Sequence, residues 1–432
     1  MKYRIFPPEE MIEEGIVTLP LSKSISTRTL VLDAFGGRYH SADAWTGVCD
    51  DTRLIANALQ QWREAAEGSV PELNLGASGA ALRFLTAFFA SQPGAEVRLT
   101  GCERLCQRPM QPLVDALRQC GATIEYLDKE GFAPLLVKGS ELFGGEVTMD
   151  STISSQFISA ILMAAPYMKS GLTLRLEGEP VSLPYILLTL YMMEQRGVTA
   201  DREPLKISIE HGSYTPFDQP EEGDWSAAAF WYEVSALSAG WITLTNITEE
   251  SRQGDRRAAG YFECLGVTTS TEEVESGVQL CPSPEVYGRL DLDLSENPDL
   301  APALAVTCCL IGVPFKFTGL STLADKECDR LQAIRAEMLK LGRIVECVRG
   351  NALEWDGSSR PVTELAPFSA HGDHRIAMAL APIAVYLPGI VIDGVECVNK
   401  SYPGYWDDLR SVGFTVAEPE APAEAAEEEA EA

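Results

Sequence analysis

The chain has 432 residues, 46% hydrophobic and 22% charged, enough for two or three packed domains and too apolar for general disorder. Lys and Arg number 34 against 63 Asp and Glu, a formal net charge of −29. Nucleic acid and anionic membrane surfaces are excluded as partners, since binding either needs clustered surface cations.

The N-terminus, MKYRIFPPEE, lacks the apolar stretch of a secretion signal, and the eleven Cys include no C-x-x-C pair. Both features predict a reducing, cytoplasmic setting. From Lys23, KSISTRTLVLDAF reads as a helix opened by small polar residues, and DDTRLIANALQQW as a second helix. A more regular unit then recurs. A polar or small cluster opens an apolar helix; a short strand follows, then an amphipathic helix closing in Gly, then more strand. The openers are LGASGAALRFLTAFFA, STISSQFISAILMAAP, GDWSAAAFWYEVSAL, NPDLAPALAVTCCL and GDHRIAMALAPIAV. The middle strands are VRLTG, LTLRLEG, WITLTNI, VPFKFTG and GIVIDGV. From Ser78 to Gly121, Ser154 to Gly197 and Asp299 to Gly342 the span is 43 residues; from Ser226 to Gly266 and Asp373 to Gly413 it is 40.

Such alternation predicts an α/β fold with crossover connections. The uncharged stretch 376–392 contains Pro382, Pro388 and Gly389, so it reads as a buried helix, a turn and a strand rather than a membrane span. The tail 418–432 holds seven Glu and no cation, and reads as disordered.

Ser, Asp and Asn at the openers read as helix N-termini, whose free N–H groups and positive dipole ends attract anions. Cations accompany them: Lys23, Arg28, Arg83, Arg108, Lys326, Arg330, Arg375 and Lys400. In so acidic a body, these predict a pocket for phosphates and carboxylates.

The segments SKSISTR, GASGAALR, QRPMQPLVDAL, SSQFISAILMAAP, VSLPYI, GDWSAAAF, NPD, DKECDR, DHRIAM and NKSYP resemble, in order, those of the enolpyruvyl transferase family, on its shikimate-3-phosphate branch. The likeness runs from about Leu19 to Phe414. It implies a two-lobed enolpyruvyl transferase fold of six βαβαββ repeats, three per lobe. One lobe would take residues 1–21 and 222–417, the other 22–221. It further implies transfer of enolpyruvyl from phosphoenolpyruvate to the 5-hydroxyl of shikimate 3-phosphate. The implied partners are these two small molecules, bound to a monomer with no cofactor and no metal.

By the same resemblance, Lys23, Ser24, Arg28, Ser154, Ser155, Gln156, Ser182, Tyr185, Asp299, Thr322 and Lys326 would contact shikimate 3-phosphate. Lys23, Gly79, Arg108, Gln156, Arg330, Arg375 and Lys400 would hold phosphoenolpyruvate. Asp299 would take the hydroxyl proton, while Lys326, with Glu327 beside it, would handle the proton at C3; Lys23 completes the implied catalytic set. The chain departs from the family pattern at Leu21, Ala77, Ala80, Phe84, Thr322 and Ala324, which bears on phosphoenolpyruvate and on inhibitors that take its place, such as glyphosate. Two rival readings leave their own signals. Cys102 and Cys106 precede an Arg-Pro pair, as a loop Cys does in the sister enzyme acting on UDP-N-acetylglucosamine. His371 and His374, in HGDH, raise a metal reading that lacks the usual helical i, i+4 spacing.

Overall fold

Each recurrent unit folds into a small four-stranded sheet covered by its two helices. The computed structural model describes residues 1–419 apart from 46, 47, 273 and 275; the acidic tail beyond 419 lies outside the described residues. Strand Glu72–Asn74 leads through helix Gly79–Ala90 to strand Glu96–Thr100. Helix Gln111–Gln119 then leads to strands Thr123–Tyr126 and Leu135–Lys138. The first two strands are parallel, which requires the helical crossover between them, and the fourth inserts antiparallel between second and third. The same order, first, second, fourth, third, recurs in the sheets built from 145–209 and 290–355.

The two remaining sheets borrow from the N-terminus. Strand Gly15–Thr18 pairs parallel with Ile242–Thr245, supplying the first strand of that copy. Strand Lys2–Phe6 inserts between Ile390–Asp393 and Thr415–Ala417, supplying the fourth of another. The first unit, less regular in sequence, contributes helices Lys23–Phe35 and Asp50–Glu64, and among the described residues no sheet of its own. The stretch 376–392 forms a helical end, a 3-10 turn at Ala381–Val385 and the start of strand Ile390–Asp393. No helix among the described residues is long and apolar enough to cross a membrane.

Two apolar cores share no residue. One gathers side chains from 5–19 and 225–416, the other from 25–214. The chain passes between them twice, and the two passages brace each other. Leu21 and Gly223 form an isolated bridge, Ser22 N–H donates to the Glu222 carbonyl at 2.8 Å, and Asp224 N–H donates to Pro20 at 2.9 Å.

The opener helices are buried nearly all round, so their polar residues sit only at the ends. Ser22, Ser78, Ser154, Asp224 and Asp373 each accept a first-turn backbone N–H with their side chain. The sixth opener differs. Pro298–Leu300 makes a 3-10 turn before helix Ala301–Ile311, and Asp299 lies in that turn rather than on the helix.

Candidate active site

A cleft of about 1070 Å³, its open mouth included, is lined from both cores by the first turns of the opener helices. Lys23 and Ser24, Gly79 and Ala80, Ser154 to Phe157, Asp299, and His374 with Arg375 face it from five openers. Arg28, Arg108, Ser182, Tyr185, Thr322, Lys326, Glu327 and Arg330 complete the wall, so all but one of the expected site residues meet there. Lys400 is the exception and lies at the edge. Its Nζ reaches Asp51 at 3.1 Å, Glu327 at 3.1 Å and the Ala77 carbonyl at 2.6 Å.

One wall is neutral around a single cation. The Arg28 guanidinium, 4% exposed, donates to Thr189 Oγ1, the Ser24 carbonyl, Ser159 Oγ and the Tyr185 carbonyl at 2.7–3.3 Å. All four acceptors are uncharged. Burial lowers its pKa to about 10, still high enough to keep the charge. An unneutralised buried cation, with Ser154, Ser155 and the Gln156 amide nearby, suits a phosphate ester. Burial also holds the Tyr185 phenol well above its ordinary pKa, so it stays neutral. Ser182 has φ 52°, a left-handed conformation rare outside Gly, held by its N–H donating to Ser295 at 2.9 Å.

The opposite wall is a knot of charge. Asp299 meets Lys326 Nζ at 3.1 Å, Arg330 at 2.7 Å and Arg375 at 3.3 Å. Burial pushes its carboxyl up, but Lys326, Arg375 and Arg330 outweigh that and hold it well below the usual range. Burial lowers the Lys326 ammonium below its ordinary value despite Asp299. Arg330, 1% exposed, also binds Asp373 at 2.6 Å and Glu327 at 2.8 Å. Asp51 lies 3.4 Å from Lys23 as well as against Lys400.

Between these walls stand two arginines without a carboxylate. Arg83 donates to the Pro109 carbonyl at 3.1 Å and lies over Phe157; its Nε and one terminal nitrogen have no partner, nor has Arg108 Nε. Gln156 Oε1, Thr322 Oγ1 and both His374 ring nitrogens are likewise buried without a hydrogen-bond partner among the described residues, His374 Nδ1 lying 3.6 Å from Asp373. Buried polar groups without partners are rare and mark a place for a ligand. Gly79 makes the room, because a Cβ there would sit 2.6 Å from Arg83 and 2.7 Å from Arg108.

Some cleft residues stand outside the substrate contacts implied by the resemblance. Arg83 is one, although the sequence already places it among the cations at the openers. Asp51 looks like an ordinary first-turn acid of helix Asp50–Glu64. His374 sits in the cleft, while His371 Nε2 is 2.7 Å from Glu337. Cys102 is exposed and Cys106 half-buried, and neither lines the cleft.

Comparison with known proteins decides the family. Residues 11–409 match the model described as EPSP synthase (3-phosphoshikimate 1-carboxyvinyltransferase). The chain belongs to the EPSP synthase family. A 3-phosphoshikimate 1-carboxyvinyltransferase of Bacteroides fragilis is 43% identical over 96% of this chain and 99% of its own. One from Methanospirillum hungatei is 32% identical over 91% and 94%. An EPSP synthase structure from Acinetobacter baumannii superposes with a TM-score of 0.69 at 20% identity, over 96% of this chain and all of that one, a likeness of fold. Within the family, two of the chain's departures fall where backbone does the work. The Ala77 carbonyl takes Lys400, and the Ala324 carbonyl takes Arg104 at 2.9 Å, so neither contact depends on the side chain. Phe84 lies 5.3 Å from the Arg28 guanidinium, on the neutral wall.

Proposed function

We propose that this chain is a 3-phosphoshikimate 1-carboxyvinyltransferase: it moves the enolpyruvyl group of phosphoenolpyruvate onto the 5-hydroxyl of shikimate 3-phosphate and releases phosphate, on the route to aromatic amino acids. The observation that carries the reading is Asp299 facing Lys326 at 3.1 Å, inside a cleft built of cations and helix starts.

Arg28, Ser154, Ser155 and Gln156, with Ser24, Ser182 and Tyr185, hold shikimate 3-phosphate on the neutral wall. Arg108, Arg330, Arg375, Lys23 and Lys400 hold the phosphate and carboxylate of phosphoenolpyruvate beside Gly79, and Arg83 adds its free N–H groups. Asp299 accepts the 5-hydroxyl proton as that oxygen bonds to C2. Lys326, with Glu327 beside it, donates a proton to C3, so the C2–C3 double bond becomes single. The tetrahedral adduct then returns a C3 proton to the Lys326 amine as the bond from C2 to the phosphate oxygen breaks, restoring the double bond, and the proton on Asp299 leaves with the departing phosphate. The arginines stabilise charge on the departing phosphate. The lobes divide near Leu21 and Glu222, in line with the two separate cores. The eleven cysteines, all free, suit the cytoplasm, and the unit acts as a monomer.

Phosphate release, assayed with each substrate omitted in turn, tests the reading. Turnover should need both. Asp299→Ala should lose activity by about three orders of magnitude while still binding shikimate 3-phosphate. Near-normal turnover in that variant would refute the base role. The sister-enzyme reading needs a cleft thiol, and Cys102→Ser with Cys106→Ser should leave the rate unchanged.

A further inference from the structure

One contact that closes the cleft is made by a group that the substrates also want. Lys400, from one core, reaches Asp51 and the Ala77 carbonyl of the other. An incoming phosphate competes for that ammonium. Arg104 makes a different kind of contact. It lies on the one-turn helix Glu103–Cys106 and crosses to the other core. Its Nε donates to the Lys326 carbonyl and a terminal nitrogen to the Ala324 carbonyl, each at 2.9 Å.

Three features set this contact apart. The acceptors are neutral carbonyls, and Arg104 itself does not line the cleft, so an anionic substrate bound there does not compete for its guanidinium. They bracket the C-terminal end of the 3-10 turn Ser321–Asp325, where a cation also complements the exposed carbonyl dipoles. Lys326 is the residue at which that turn ends, its backbone extended at φ −85° and ψ −157°, and from there its side chain reaches Asp299. A forked guanidinium holds two carbonyls in one rigid planar geometry, which the freely rotating ammonium of a Lys does not impose. Arg104 also sits four residues before Arg108, so a cleft contact and the crossing contact share one short segment.

We propose that Arg104 is a positioning residue: by clasping the Ala324 and Lys326 carbonyls across the cleft, it sets the Lys326 ammonium against the reacting centre only when the lobes are closed. This inference rests on the reaction proposed above. Misplacing a proton donor by about 1 Å costs on the order of 100-fold in rate.

The test is steady-state kinetics of Arg104→Gln and Arg104→Lys, with pH–rate profiles and unfolding midpoints. We expect kcat of Arg104→Gln to fall about 10- to 100-fold at an unchanged midpoint. The alkaline limb of its profile should move, because Lys326 no longer sits in the same surroundings. Arg104→Lys, with one donor point instead of a fork, should recover only part of the rate. A kcat within about two-fold of the unsubstituted protein in both variants would overturn the proposal, as would a fall with an unmoved pH profile. The unsubstituted protein is the control. Its inactivity with both substrates would refute the reaction itself, whereas the latch is judged on the ratio of variant to parent.

Discussion

At the scale of single residues, Asp299 is pulled two ways. Burial favours its protonated form, yet Lys326, Arg375 and Arg330 keep it ionised. It is therefore ready to accept a proton but weak as a base while all three cations attend it. On the proposed reaction, phosphoenolpyruvate would draw Arg330 and Arg375 to its own oxygens and so strengthen Asp299 as a base. Lys326 is tuned the other way. Burial moves its ammonium below the ordinary 10.5, which would ease the proton transfer proposed for it. Activity should thus decline on the alkaline side, at a pH below 10.5, as Lys326 loses its proton. Lys326→Arg, which keeps its proton throughout, should lose most of the rate and also that alkaline limb. A pH–rate profile for the variant with the same limb would assign it to another group.

At the scale of elements, the design is a buried apolar helix whose only polar end faces the cleft. Such a helix needs its first-turn N–H groups satisfied by something other than water. Ser78 does this for helix Gly79–Ala90, its Oγ accepting from Ala81 at 3.2 Å while fully buried. Ser78→Ala should destabilise the protein by about 1 kcal/mol, read as a lower midpoint in denaturant at unchanged slope. No change in midpoint would mean that the cap is dispensable. The openers were legible because the signal is local: a polar cap, then an unbroken apolar helix, then a strand and a Gly at fixed spacing. Strands Lys2–Phe6 and Gly15–Thr18 were not assignable to their sheets, since their partners lie more than two hundred residues away. The 3-10 turn holding Asp299 was hidden for a related reason. Pro298 suits the first turn of either helix type, so the sequence does not separate them. Asp51 shows the limit for sites. Its role arises only because Lys400, 349 residues on, folds back against it.

At the scale of the whole molecule, a strongly acidic chain confines a handful of its cations to one crevice between two cores. A cleft lined by so many cations in an otherwise acidic chain favours anionic ligands. The protein's own carboxylates, Asp51, Asp299, Asp373 and Glu327, hold these cations in place and set what a ligand must outcompete. On the proposed reaction, two doubly anionic metabolites together supply that competition. A crystal structure of Asp299→Ala grown with both substrates tests this most directly. The account predicts the ester phosphate of shikimate 3-phosphate against Arg28 and Ser154–Gln156, and phosphoenolpyruvate spanning Arg108, Arg330 and Arg375. Density for either anion elsewhere, with Arg28 and Arg108 still facing no anion and Arg330 and Arg375 still paired only to the protein's own carboxylates, would contradict it.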